Sequence, residues 1–188
     1  MRHLIKPIAN ALFLMLISSA SVATHKNNPP NLKSCIWPKW MREGNDSIRL
    51  HNCRAALVAY SDGDCNQLKP REGMASERDT CEGIKVGKEA GEGSKCWSKD
   101  KLLEAGCEAA FYSKIDHCNK LSLKDRVACE ALKYAKNVKF YRPCIAAVEG
   151  LAEEILSHEW ANVYDLALMA SGLCEGYRLA HDVKKEEL

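Results

Sequence analysis

Glu154, His158 and Asp165 are the residues whose types could carry acid–base work in this 188-residue chain. Glu154 and His158 stand four apart, which on a helix places a carboxylate and an imidazole on one face, and Glu159 follows directly. The run lacks the H-E-x-x-H pair of a zinc-protease helix, so a surface ion pair at helical spacing explains it equally well. His51, His117 and His181 also stand near acids in helical stretches, and the same explanation covers them. Asp62, Asp64 and Asn66 have the one-three-five spacing of a calcium loop. The later positions depart from that loop: Gln67 replaces the glycine, Pro70 holds the ninth place and Gly73 stands where a bidentate Glu belongs. A polar turn after a helix accounts for the same residues. There is no G-x-S-x-G, no phosphate-cradling glycine fingerprint and no Cys-His nucleophile context, and no motif calls for a cofactor.

The ten cysteines are Cys35, Cys53, Cys65, Cys81, Cys96, Cys107, Cys118, Cys129, Cys144 and Cys174. An even number behind an export signal reads as a disulfide framework, which leaves no thiol nucleophile and whose pairing the sequence does not reveal. No C-x-x-C occurs, which argues against a zinc ribbon, a haem attachment site and a thioredoxin-like pair. Cys107, Cys118 and Cys129 recur every eleven residues, close to three helical turns. Two cysteines that far apart on one straight helix are about 16 Å from each other, beyond disulfide reach. The spacing therefore predicts bridges that reach laterally to neighbouring helices or loops.

Trp37 and Trp40 lie near Cys35, Trp97 follows Cys96, and Trp160 opens the last apolar stretch. Tryptophan beside a cystine is often simply core packing; Trp37 and Trp40, close to a polar leader, could instead be exposed anchors for a partner.

The elements that must position these residues are helical. Asp46-Ser47 can cap a helix carrying Leu50, Cys53, Leu57 and Tyr60 at alternating three and four spacing. Residues 66–97 are glycine-rich and read as a loop-rich insertion with one short helix near Ser76 to Ile84. From Ser98, a candidate cap, the pattern is strongly helical: one helix carries Cys107, Phe111 and Cys118. A second follows Ser122 and Asp125, a third follows Pro143, and a last runs from about Glu159 to Ala180. No alternating strand of useful length occurs. The expectation is an all-α, disulfide-stapled bundle of five to six helices, with residues 35–188 forming a single domain.

Residues 1–23 have the three-part layout of a secretory signal: a basic start at Arg2, His3 and Lys6, an apolar run from Ile8 to Ile17, and small residues ending at Ala23. The run is about ten residues long, short of the roughly 20 that span a bilayer. Residues 24–34 are polar with two prolines and read as a mobile leader. Removing 1–23 takes away Arg2 and Lys6 and no acid, leaving 25 basic and 25 acidic residues. A neutral mature chain offers no basic footprint for nucleic acid, and no later stretch predicts a transmembrane segment. Export to a periplasm or the exterior is expected. In a eukaryotic host, Asn45-Asp-Ser47 would be a glycosylation acceptor, and the terminal Lys185-Glu-Glu-Leu188 would suggest the ER lumen.

Three functions compete at this level. The leading expectation is an exported helical protein that binds another macromolecule, as an inhibitor or an envelope or secretion component. A broad pocket lined by His, Glu and Asp would count against it. The second is a small secreted hydrolase built on Glu154, His158 and Asp165. The third is a lipid carrier in the manner of a cystine-tied bundle, which resembles saposin-like proteins in logic but not in cysteine spacing; an apolar cavity would favour it.

Overall fold

A computed structural model describes residues 30–35, 46–70, 76–91, 94, 96–137, 144, 151, 154, 157 and 163–186. Among them the protein is all-helical, with no strand. The α-helices are α1 (Asp46–Tyr60), α2 (Glu77–Glu89), α3 (Lys101–Lys114), α4 (Leu123–Asn137) and α5 (Val163–Glu186). Three short 3-10 turns accompany them: η1 (Leu32–Cys35), η2 (Cys65–Gln67) and η3 (Cys118–Lys120).

Local chemistry sets the helix ends. The Ser76 hydroxyl accepts from Asp79 N–H at 3.0 Å and starts α2. Asp100, not Ser98, caps α3: its carboxylate accepts from Leu102 and Leu103 N–H, and Ser98 instead accepts from Asp100 N–H. Helices α1 and α3 stop in the same way. Gly63 N–H donates to Val58 O at 2.9 Å and His117 N–H to Tyr112 O at 3.0 Å, each a six-to-one closure. Each closure puts an aspartate in the left-handed region, Asp62 at φ 59° and Asp116 at φ 61°. That conformation suits Asp better than most L-residues. A lysine from the following helix pairs with each, Lys88 with Asp62 and Lys133 with Asp116.

These parallels follow an internal repeat of the sequence pattern. Cys53-Arg-Ala-Ala-Leu57, then Asp62, then Cys65-Asn-Gln-Leu68 correspond to Cys107-Glu-Ala-Ala-Phe111, Asp116 and Cys118-Asn-Lys-Leu121. Next, Cys81-Glu-Gly-Ile-Lys-Val-Gly-Lys88 in α2 corresponds to Cys129-Glu-Ala-Leu-Lys-Tyr-Ala-Lys136 in α4. Each α-helix carries one cysteine with small, buried residues two and six places after it. The pairs are Ala55 and Ala59, Gly83 and Gly87, Ala109 and Ser113, Ala131 and Ala135, and Gly176 and Ala180. Residues four apart share a face, so this spacing gives each helix a flat strip along which a neighbour can approach.

The neighbours close into a ring, with α1 on α2, α2 on α3, α3 on α4, α4 on α5 and α5 back on α1. All run in the same sense. Arg54 in the middle of α1 reaches Glu77 at the start of α2, while Lys88 near the end of α2 donates to Ala59 O near the end of α1. Gly83 faces Leu103 O and Gly87 faces Cys107 O across α2 and α3; Gly172 faces Arg49 O and Gly176 faces Cys53 O across α5 and α1. A Cβ at any of these four glycines would overlap the facing carbonyl oxygen. Inside, Leu57, Ile84, Val127, Leu132 and Leu173 are buried. Each such side chain contributes about 1.5–3 kcal/mol over its exposed state.

Helices of common sense require the chain to travel back one helix length, about 21 Å for fourteen residues, between each and the next. The disulfides tie down these returns. Bridges join Cys35–Cys53, Cys65–Cys81, Cys96–Cys107, Cys118–Cys129 and Cys144–Cys174, consecutive cysteines in every case. Of the two expected reaches, to neighbouring helices or to loops, the bridges use the second and none joins two of the α-helices. Each bridge fastens the segment leading into a helix to a point within that helix. Cys118 lies in η3, because α3 ends at Lys114, and so it can reach Cys129.

Two further expectations change. The loop-rich reading of 66–97 gives way to α2, thirteen residues long, whose glycines serve close packing and not turns. The leader ends earlier than residue 34: Pro30 is buried against Gly63, and η1 packs on α1. The expectations for 1–23, Trp37, Trp40, His158 and the helix after Pro143 fall on residues outside those described, wholly or for the most part.

Candidate functional site

The first turns of the five helices meet around a cleft of about 820 Å³. All five contribute to its lining. The wall is apolar, made by Ile48 of α1, Ile84 of α2, Leu102 of α3, Ala128 of α4, and Leu166 and Met169 of α5. The rim is charged. Lys101, Glu104 and Glu108 come from α3, Lys124 and Asp125 from α4, Asp165 from α5, and His51 from α1.

Several rim charges have internal partners. Lys101 Nζ donates to Glu104 at 2.6 Å, which raises the ammonium above the ordinary lysine range. Asp125 accepts from the Ser122 hydroxyl at 2.6 Å in the first turn of α4, where a carboxylate complements the helix dipole. His51 Nε2 lies 3.5 Å from Glu77, which is 3% exposed and also pairs with Arg54 at 3.3 Å. Glu108 differs from these. It stands beyond the first turn of α3, and burial raises its carboxyl above the usual glutamate range, with Asp125 and Glu104 adding to the rise. Lys101 acts in the opposite direction on it.

Of the sequence candidates, Asp165 and His51 are placed at the cleft. Glu154 forms an ion pair with Arg126 of α4. Asp62 meets Lys88, and Asp64 accepts from both Asn66 N–H and the Asn66 side chain at 2.9 Å. The calcium-like triplet is thus the closing turn of α1 and the cap of η2. Among the described residues no group of three or more His, Cys, Asp or Glu could hold a metal ion. Sequence reasoning did not join His51, Glu104, Glu108 and Asp125 into a set. Glu104 and Glu108 share a face of α3 at a spacing of four, and ring closure brings His51 of α1 and Asp125 of α4 to them.

At the far end of the ring lies an aromatic group. Tyr60 and Tyr177 stack edge-on at 4.5 Å, His181 lies 4.3 Å from Tyr177, and burial raises the Tyr60 hydroxyl well above the ordinary tyrosine range. The cleft lies at the opposite end, among the helix starts. No family model, curated protein or solved structure matches this chain.

Proposed function

We propose that this is an exported binding protein that carries an amphiphile, with the apolar portion held between the helix starts and the polar head at the rim. The single observation behind this reading is the cleft: an apolar wall supplied by five helices, a size within the range of small-molecule sites, and charged side chains from α3, α4 and α5 beside that wall. The same cleft, carrying His51, Glu108 and Asp165, counts against recognition by outer surface alone. Export is supported by the layout of residues 1–23 and by ten cysteines that are all paired. No helix among the described residues is long and apolar enough to cross a membrane.

The test is saturable binding of 1-dodecanol to the oxidised protein, read by displacement of a fluorescent acyl probe. Wild type is expected to bind and Ala105→Trp, which places an indole in the cleft, to lose binding while keeping its melting temperature. Failure of wild type to bind any acyl chain would overturn the carrier reading. A protein partner is the second reading, favoured by Trp97, which is 77% exposed on the segment leading into α3. It predicts that Trp97→Ala weakens capture of such a partner without changing dodecanol affinity.

A further inference from the structure

We infer that the cleft selects amphiphiles with a cationic, amine-bearing head, an assignment that rests on the carrier reading and adds the head group to it. Among the described lining residues, the carboxylates of Glu104, Glu108, Asp125 and Asp165 outnumber the ammonium groups of Lys101 and Lys124 by two to one. His51 faces an additional acid, Glu77.

Five helix starts would by themselves favour an anion, so the sign of the rim has to be decided by position. A helix end acts within its first turn, and acids already occupy that turn: Asp100 caps α3, Asp125 stands in the first turn of α4 and Asp165 in that of α5. Glu108 is a full turn deeper on α3, where no helix start answers it. Its carboxyl is raised by burial first and by Asp125 and Glu104, against the opposing pull of Lys101, so a cation brought there relieves the repulsion from two carboxylates as well as gaining a charge-assisted hydrogen bond. The wall next to Glu108 is Ala105 and Ala109 of α3, which leaves room for an alkyl chain beside the carboxylate. An amine on a saturated chain satisfies both surfaces. A carboxylate head would add a fifth negative charge to the rim.

The experiment compares dodecylamine, 1-dodecanol and dodecanoate on the oxidised full chain at neutral pH, all below their micelle concentrations. The amine is expected to bind about tenfold more tightly than the alcohol, and dodecanoate to bind most weakly. Glu108→Gln should narrow the ratio of amine to alcohol affinity about tenfold, and Lys124→Gln should widen it. Because Glu108 caps no helix, its variant is expected to fold, and the ratio is independent of any general change in affinity. Equal binding of the three chains, or preference for dodecanoate, would overturn the amine assignment and leave the carrier standing. Absence of binding by all three would overturn the carrier and this assignment with it. Tighter binding of a blocked Leu-Lys-Leu peptide than of dodecylamine would move the occupant from an amphiphile to a polypeptide side chain, and so also overturn the assignment.

Discussion

The α1–α5 and α2–α3 contacts use one packing device across very different distances in the chain. In both, glycines four apart on one helix lie against the backbone of a cysteine-bearing neighbour: Gly172 and Gly176 against Arg49 and Cys53, Gly83 and Gly87 against Leu103 and Cys107. The α2–α3 pair is local, and simple contacts finish it: Lys114 Nζ donates to Ala90 O at 2.7 Å and to Lys88 O at 3.2 Å. The α1–α5 pair joins residues more than a hundred positions apart and carries additional fastening. Arg49, 2% exposed, pairs with Glu175 and donates to Cys35 O at 3.1 Å, and Tyr60 stacks on Tyr177. The same close approach thus stands almost alone where the chain returns quickly. Where ring closure must also offset a long loop, it is reinforced by a buried cation and an aromatic pair.

The largest perturbation of this contrast is Arg49→Ala. It strips Glu175 of its buried partner and should cost about 3–5 kcal/mol, with amide exchange accelerating in α1 and α5 before α2 and α3. Uniform acceleration across all five helices would show that ring closure and the local pair are one cooperative unit. Next come the bridges. Replacing Cys144 and Cys174 by Ser opens a 30-residue separation and replacing Cys96 and Cys107 an 11-residue one, with expected losses of about 3.6 and 2.8 kcal/mol by the loop-length relation. Denaturant melts of the two double variants check that order.

Gly176→Ala and Gly87→Ala are the matched pair. Each adds a methyl that must push a neighbouring backbone away, and each should cost about 2 kcal/mol net of the gain in helix propensity. A large difference between them would mean that the two contacts only look alike. The smallest effect is Glu108→Gln. Because the folded carboxyl sits above its ordinary value, the fold holds that proton more tightly than the unfolded chain and gains stability as pH falls through this range. At neutral pH the carboxylate is mildly destabilising. The variant should therefore melt slightly higher there, by less than about 1 kcal/mol at this half-exposed site, and the difference should close below the ordinary glutamate range.

Much of the fold was legible in the residues. Leu50, Cys53, Leu57 and Tyr60 announced α1, and the apolar positions after Asp100 and Ser122 announced α3 and α4. The stretch around Gly83 and Gly87 misled for a physical reason: glycine permits a turn and equally permits a close helix crossing, and only the neighbour distinguishes the two. The repeat was present as the shared run from Cys53 to Leu68 and from Cys107 to Leu121, with an offset of 54 residues at Cys53 and 53 at Cys65, and a search for self-similarity that allows one deletion would have exposed it. It would also have explained Asp62 as a helix-closing residue through its counterpart Asp116.

The rim of the cleft was not legible in the same way. His51, Glu108, Asp125 and Asp165 occupy ordinary positions on four amphipathic helices, with no spacing to connect them. Local chemistry fixed the helices, their caps, the flat strip after each cysteine and the supply of thiols, because those depend on residues within a turn or two of one another. The tertiary structure alone decided that the helices run in one sense, that α5 closes on α1, and which thiols meet. From that closure came the apolar cleft with its acidic rim, because a site assembled from five helices has no existence until the last of them has docked.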